Sequence, residues 1–286
     1  MKSTIQEIIE QRYSCRSYVD EPIQEMHQLA LKDFLKTQQI GPFGTPARFE
    51  FVAATHDDRQ SLKGLGTYGF IKNPTGFIIG ALEQGPKNLE DYGYLLEYVI
   101  LAATDIGLGT CWLGGSFTKS SFAKKIFLTD RETIPAVVAT GYDEEKKGRN
   151  GQIRKYMGAT RRLSMEQLFF KNSFGNPLAI TSADAYAQPL EMVRWAPSAS
   201  NKQPWRIIRI GDAWHFYLHR TKGYGKGTLL FRILRLADLQ RVDMGIAMCH
   251  FELTACSLGL HGRWIVEDPK LIISDSTEYT VSWINE

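Results

Sequence analysis

The chain has 286 residues, 43% of them hydrophobic and 23% charged, which is the ordinary composition of a globular protein with a sizeable core. Its 34 basic and 31 acidic residues leave a net charge of only +3, which gives no reason to expect a nucleic acid or an anionic membrane as partner. The most apolar segments, residues 75–82 and 94–103, are too short to cross a bilayer, and the second contains Glu97. The amino terminus lacks the apolar stretch of a secretory signal, so we expect a soluble, cytoplasmic protein.

The predicted elements of the first half are helices and short strands. The first helix begins at Ser3 or Thr4, and Ser3 with Gln6 has the spacing of a capping box. A second helix follows Pro22 and ends before the breaker at residues 41–44. Strands are predicted at residues 49–53, 76–80 and 136–140.

A long helix is predicted between the second and third of these strands, at residues 91–106. It is apolar on almost every side, so we expect it to be central and buried. The glycines in residues 107–109 stop it. Past Gly141 the composition changes, and residues 144–155 are charged and glycine-containing, which is typical of an exposed connection.

The second half repeats the first in outline. At an offset of 152 positions, residues 91–108 share six identities with residues 243–260, among them Asp91 with Asp243 and Gly93 with Gly245. A Pro-x-Arg sequence leads into a predicted strand in each half, at Arg48 and again at Arg206. These matches favour an internal duplication.

The four cysteines do not form a disulfide framework. They are too few and too scattered for a chain of this size, and no Cys-x-x-Cys pair occurs. We expect buried, reduced thiols at Cys15, Cys111, Cys249 and Cys256.

Two polar segments stand out as candidate binding elements. Residues 12–18, which read RYSCRSY, place two guanidinium groups and a hydroxyl in one short turn, a combination suited to an anion. A solvated basic turn is the alternative. Residues 195–205, which read WAPSASNKQPW, combine a proline-stiffened backbone with amides, hydroxyls and indoles, as a surface that binds a planar heterocycle would. A polar loop entering a strand is the alternative.

Other patterns carry less chemistry. Residues 107–115, GLGTCWLGG, follow a helix and lack the Gly-x-Gly-x-x-Gly spacing of a dinucleotide fold, although the last two glycines permit close approach of a ligand to the backbone. Residues 223–227 look like a flexible loop. His215 and His219 face the same side of a predicted strand but lie about 13 Å apart by strand rise, too far to share a metal ion. We find no metal site, no Ser-His-Asp signature and no paired catalytic carboxylates.

Together, the three segments at residues 12–18, 102–115 and 196–205 resemble the FMN-dependent nitroreductase superfamily. In particular, the chain resembles the internally duplicated branch of the Thermotoga type, in which two fused copies in one chain take the place of the two subunits of a dimer. The resemblance implies an α+β fold with central antiparallel or mixed sheets flanked by helices. It also implies two similar subdomains, residues 1–168 and 169–286, arranged like the two subunits of the family's homodimer.

The motifs are divided between the halves. Ordinary members of the superfamily carry all of them in one chain and bind FMN at a dimer interface. Here the first half keeps the Arg-x-Ser-x-Arg element but has residues 41–46 where the Pro-Ser-x-x-Asn element belongs. The second half keeps Pro197 and Ser198 but lacks the arginine element, having residues 183–186 in that region. We therefore expect one complete pocket per chain and a monomer.

The resemblance also implies roles for individual residues. Arg12 would bind the FMN phosphate, Ser14 the ribityl-phosphate end and Arg16 the N1–O2 edge of the ring, and either Arg161 or Arg162 would add a late phosphate contact. The backbone at Gly114 and Gly115 would lie near N5 and O4. The remaining cofactor-binding residues that we expect are Tyr13, Leu113, Pro197, Ser198, Ala199, Asn201 and Gln203.

The implied activity is that of an FMN-dependent oxidoreductase. A hydride from NAD(P)H would pass through the flavin to a quinone, a nitroaromatic or a similar small acceptor, and the flavin N5 would carry the chemistry without a catalytic side chain. A flavin-binding carrier or sensor without turnover is the first alternative, with Tyr13, Phe70, Tyr224 and the loop at Gly223 covering the ring. A structural protein without any ligand is the second.

Overall fold

The computed structural model describes residues 2–55, 59–144, 161–226, 228, 231 and 236–286. Apart from its first residue, the connection predicted at 144–155 lies outside these residues. Within this described part of the chain no helix is both long and apolar enough to cross a membrane.

The first half holds five α-helices and five strands among its described residues. These are α1 (Ile5–Gln11), α2 (Glu25–Thr37), β1 (Ala47–Ala53), β2 (Gly76–Glu83), α3 (Asn88–Asp105), β3 (Gly109–Leu113), α4 (Lys119–Lys125), β4 (Glu132–Thr133), β5 (Val137–Gly141) and α5 (Met165–Leu168). The second half follows with β6 (Phe169–Lys171), α6 (Ala187–Trp195), β7 (Trp205–Ile210), β8 (Ala213–His219), α7 (Leu239–Ser257), β9 (Gly262–Ile265) and β10 (Thr277–Asn285).

The strands form two five-stranded sheets. In the first sheet the order is β1-β2-β5-β3, with β4 paired to β2, and every pair is antiparallel. In the second the order is β6-β7-β8-β10-β9, and only β6 and β7 are parallel. The α+β class and the mixed sheets predicted from the sequence are confirmed.

The first helix begins one residue later than the capping box predicted at Ser3 and Gln6. Thr4 is the N-cap: its hydroxyl accepts a hydrogen bond from the Glu7 N–H at 3.3 Å, and the Glu7 carboxylate accepts one from the Thr4 N–H at 2.9 Å. This register buries Ile5, Ile8 and Ile9 against the two long helices.

The long helices α3 and α7 cross at the centre of the molecule. A Cβ atom on Gly93 would lie 2.1 Å from the carbonyl oxygen of Val242, and one on Gly245 would lie 1.9 Å from that of Glu90. The two contacts are reciprocal, because each residue of one pair is 152 positions from a residue of the other. The helices therefore approach so closely that neither has room for a side chain at the crossing.

One strand was not predicted, and one prediction about the cysteines needs correction. Residues 109–113 form the strand β3, which pairs with β5 at Thr110 and Thr140. Of the cysteines, Cys256 is exposed, contrary to the expectation, whereas the other three are buried as expected.

Candidate functional site

The basic segment at residues 12–18 lies beside β3. Arg12 caps the carboxyl end of α1, where its N–H donates to the carbonyl oxygen of Ile8 at 2.9 Å. Ser14 forms a bridge with Thr110, and the Cys15 N–H donates to the Thr110 carbonyl at 2.8 Å. Two of the three predicted motifs, distant in the sequence, are thus neighbours along one strand.

The side chains around this strand differ in exposure. Arg12 is buried, Tyr13 and Ser14 are half-buried, and Arg16 is exposed. Burial raises the pKa of the Cys111 thiol on β3, while the nearby guanidinium groups of Arg16 and Arg12 act in the opposite direction. The turn therefore places two positive charges next to β3.

The carboxyl end of β3 meets the second half of the chain. Leu113 is buried, Gly114 is half-buried and Gly115 is exposed. A Cβ atom on Gly114 would lie 2.4 Å from a methyl carbon of Leu239, and one on Gly115 would lie 3.2 Å from a methyl carbon of Leu236. The glycines let this backbone pack closely against the start of α7.

Arg162 lies near Arg12. Its guanidinium donates to the carbonyl oxygen of Trp195 at 3.2 Å and contacts Oδ1 of Asn201 at 3.4 Å. Burial, and then the positive charges of Arg12 and Arg194, lower the pKa of Arg162 to about 10. Arg12 and Arg194 thus both act on the half-buried Arg162, and since Arg194 is ion-paired with Glu191, an anion would be stabilised between Arg12 and Arg162.

Asn201 and Gln203 attach the segment 161–163 to the second half. The Leu163 N–H donates to Oε1 of Gln203 at 2.8 Å, and the Arg161 carbonyl accepts from Nδ2 of Asn201 at 2.9 Å and from Nε2 of Gln203 at 3.3 Å. The Arg161 side chain is exposed, whereas that of Arg162 is half-buried. The two amides thereby orient Arg162 rather than Arg161 toward Arg12.

The loop that contains these amides is unusually shaped and well anchored. Ser200, Asn201 and Gln203 have left-handed φ angles of 51°, 53° and 49°, a conformation that costs free energy in residues with a side chain. The Gln203 N–H donates to Oγ of Ser198 at 2.8 Å, and the Ala199 N–H donates to Oδ1 of Asp243 at 2.9 Å. Pro197 leads into the loop and is half-buried.

Asp243 is the anchor of this loop on α7. Complete burial raises its pKa well above the usual value, and its Oδ2 has no hydrogen-bond partner within the described residues. Asp91, which is 152 positions earlier, holds the equivalent loop of the first half with both oxygens, which accept from the N–H groups of Phe43 and Thr45 at 2.9 Å each.

A buried polar cluster that was not predicted from the sequence lies behind Arg12. Oε1 of Glu97 lies 3.0 Å from Nε2 of His250 and 3.6 Å from Nε of Arg12, and its Oε2 accepts from the Trp112 indole N–H at 2.7 Å. Glu97 and His250 are fully buried. The signal in the sequence was Glu97, the single acidic residue in the apolar segment 94–103, which we used only to argue against a membrane span.

The site therefore assembles from both halves of the chain. The first half supplies the basic turn, the end of β3 and Arg162, and the second half supplies the loop at residues 197–203 and the start of α7. Among the described residues no group of three or more histidine, cysteine or acidic side chains is placed to hold a metal ion.

Comparison with known proteins agrees with this architecture. The family model described as "Putative TM nitroreductase" matches residues 4–255. A nitroreductase-like structure from Thermotoga maritima is 20% identical, covers 99% of this chain and 94% of its own, and superposes with a TM-score of 0.62. An FMN complex of a related Desulfovibrio desulfuricans protein is 21% identical and covers 63% of this chain and 100% of its own, with a TM-score of 0.45.

No curated protein matches the sequence. The match to the family model nevertheless extends over most of the chain, and the Thermotoga structure shows the same fold over almost all of it. The chain belongs to this nitroreductase family and is an oxidoreductase of the nitroreductase fold.

Proposed function

We propose that the protein is an FMN-dependent oxidoreductase that takes a hydride from NADH or NADPH and reduces a quinone, a nitroaromatic or a similar small acceptor. Family membership supports the oxidoreductase part. The observation that carries the FMN assignment is the convergence of Arg12 and Arg162 at one poorly solvated place. Such a pair of guanidinium groups suits a doubly charged phosphate better than any neutral ligand.

The donor set around this pair fits the rest of FMN. The hydroxyl of Ser14 lies in the turn after Arg12 and is available to the ribityl-phosphate end. Arg16, the second cation of the turn, is exposed and free to face the N1–O2 edge of the ring. Of the two late arginines, we assign the phosphate contact to Arg162, since its pKa responds to Arg12.

When bound, FMN supplies hydride transfer at N5. The chain then needs no side chain that acts as an acid or a nucleophile. Arg16 would place its positive charge at the N1–O2 edge of the ring, the backbone at Gly114 and Gly115 would offer hydrogen bonds, and the loop at residues 197–201 would close the pocket from the second half.

We further propose that residues 1–168 and 169–286 are duplicated halves and that only one complete pocket remains. The reciprocal glycine contacts of α3 and α7, and the equivalent use of Asp91 and Asp243 as loop anchors, support this proposal. Three buried free thiols support the cytoplasm as its location.

A carrier or sensor that binds flavin without turnover is the second candidate. It is favoured by the packing of Leu239 and Leu236 against Gly114 and Gly115, which covers the backbone proposed to face the ring. Stopped-flow mixing of the flavin-loaded protein with NADH and with NADPH separates the two candidates. An enzyme bleaches the flavin absorbance within seconds and recovers it when an acceptor is added, whereas a carrier stays yellow.

The phosphate contact is tested by flavin affinity. We expect Arg12→Ala and Arg162→Ala each to weaken FMN binding by about 10- to 150-fold, the equivalent of a charged hydrogen bond worth about 1.5–3 kcal/mol. Arg161→Ala is the matched control, because its side chain is exposed, and it should bind within about threefold of the wild type. Equal losses of FMN affinity in all three variants would contradict the proposal that the phosphate binds between Arg12 and Arg162.

A further inference from the structure

In the buried cluster behind Arg12, the distances around His250 require one additional proton between His250 and Glu97. Nδ1 of His250 lies 2.9 Å from the carbonyl oxygen of Met192. Because a carbonyl oxygen only accepts hydrogen bonds, Nδ1 carries a hydrogen, and in a neutral ring Nε2 then carries none.

The contact between Nε2 of His250 and Oε1 of Glu97, at 3.0 Å, therefore needs one more proton. Without it, the lone pair of a neutral ring would face a carboxylate, and both groups are completely buried. The proton lies either on the imidazole or on the carboxyl group, and in both cases the two side chains together have no net charge.

The positive charge of Arg12 is then not cancelled by Glu97. Taken together, Arg12, Glu97 and His250 carry a net charge of +1, whereas they would carry none if the shared proton were absent. Two further described groups beside Glu97 add no charge: Trp112 is a neutral donor, and burial raises the pKa of the Cys249 thiol, which stays protonated.

We propose that the proton shared by Glu97 and His250 maintains the positive charge with which Arg12 meets a phosphate monoester. The inference rests on the proposed function, in which Arg12 binds the phosphate of FMN. Glu97 and His250 are positioning residues in this role. Glu97 holds the Nε edge of Arg12 at 3.6 Å, and His250 prevents the carboxylate from opposing the phosphate dianion.

The contribution of the phosphate is measured by the ratio of two dissociation constants, for riboflavin and for FMN, on flavin-free full-length protein. Riboflavin has the same ring and ribityl chain but no phosphate. A change that only loosens the fold weakens both ligands and leaves this ratio unchanged, whereas a change in the charge beside Arg12 alters it.

Three variants give distinct expectations. In His250→Gln the amide still donates to Glu97 but brings no charge, so the carboxylate cancels Arg12 and the ratio falls about tenfold or more. In Glu97→Gln both the carboxylate and the need for the extra proton are gone, so the ratio stays within about threefold of the wild type. The double variant should restore the ratio lost in His250→Gln. Thr254→Val, another buried polar position on α7, is the matched control and should leave it unchanged.

Two results overturn the inference while leaving the proposed phosphate contact in place. One is a folded His250→Gln protein that keeps the wild-type ratio. The other is a tenfold rise of the ratio in Glu97→Gln, since it would show that the carboxylate is charged and uncompensated in the wild type. If His250→Gln does not fold, the ratio measured for Glu97→Gln tests the inference by itself. A wild type that binds FMN no better than riboflavin refutes the proposed phosphate contact itself, and the inference with it.

Discussion

At the scale of single residues, Asp91 and Asp243 show how two equivalent carboxylates come to have different energetics. Asp91 uses both oxygens as acceptors of backbone N–H groups, whereas Asp243 uses one and leaves Oδ2 without a partner among the described residues. A carboxylate that accepts two hydrogen bonds is compensated for its burial. One that accepts a single bond is less so: burial raises the pKa of both carboxyl groups, but that of Asp243 is raised well above its usual value.

We expect Asp243→Asn to stabilise the protein at neutral pH. The amide keeps an oxygen for the Ala199 N–H and has no charge to bury. Differential scanning fluorimetry should show a rise in Tm of a few degrees, given that ~1 kcal/mol corresponds to about 2–4 °C in a protein of this size. Asp91→Asn is the matched control and should lower Tm, because an amide nitrogen would face the N–H of Phe43 or Thr45.

The same change has a defined pH dependence. The pKa of Asp243 is raised in the folded state, so the unfolded chain releases this proton first, and wild-type stability falls as pH rises above the unfolded value of 3.8. The advantage of Asp243→Asn should therefore grow from about pH 4 toward neutrality. An advantage that is constant between pH 4 and pH 7 would show that Asp243 does not hold its proton in the folded protein.

Arg16 is predicted to act on the flavin's redox balance more than on its binding. Arg16→Leu removes the cation assigned to the reduced ring, so the midpoint potential should fall; a loss of about 1.4 kcal/mol corresponds to about 30 mV for a two-electron couple. Spectroelectrochemical titration measures this, with the exposed Arg161→Leu as control. An unchanged potential would contradict the placement of Arg16 at the N1–O2 edge.

At the scale of elements, the crossing of α3 and α7 makes a strong prediction. Gly93→Ala and Gly245→Ala each place a methyl group about 2 Å from a backbone carbonyl oxygen, and backbone cannot move aside as a side chain does. We expect each substitution to lower the free energy of unfolding by about 3 kcal/mol or more, at or above the upper end of the usual effects of overpacking. Urea unfolding measures the loss.

Gly85→Ala is the control for this pair. A Cβ atom there would have no neighbour within 4 Å, and the residue has no positive φ angle. Its stability should change little. Tolerance of alanine at either crossing glycine would mean that the helices lie farther apart than described.

The sequence predicted most elements because their periodicity is local. The apolar run of α3 and the strands around Phe51, Ile78 and Val138 appear within short windows of sequence. The strand β3 was not predicted because it has no such local pattern. Its five residues are flanked by glycines and carry no alternating pattern, and its ladder with β5 joins positions that are far apart in the chain.

The candidate site was predictable in its motifs but not in its assembly. The arginine turn, the paired glycines and the loop at residues 197–203 are compact segments, so their composition alone marks them. The preference for Arg162 over Arg161 depends on the amides of Asn201 and Gln203, and the pairing of Glu97 with His250 depends on how two helices cross. These relations are tertiary, and no single window of sequence contains them.

At the scale of the whole molecule, we predict one FMN per chain and a monomer in solution. A two-fold interface uses the same patch twice, so a chain with both copies would satisfy that interface internally, and the close packing of α3 on α7 supports this prediction. Titration of flavin-free protein should give one site, and light scattering should give a mass near 32.4 kDa. Two equivalent sites per chain would contradict the prediction that the divided motifs leave only one complete pocket. An obligate dimer would show that another surface needs a partner.

In an exactly two-fold symmetric dimer, a pairing such as that of Glu97 with His250 could not occur only once. At the offset of 152 positions, Glu97 corresponds to Cys249 and His250 corresponds to Tyr98, so the two partners occupy non-equivalent places on α3 and α7. Two identical subunits would have to form such a pair twice or not at all. Under the proposed duplication, a chain with separately encoded helices holds this pair once, and it would thereby give one pocket a charge that the counterpart pocket would lack.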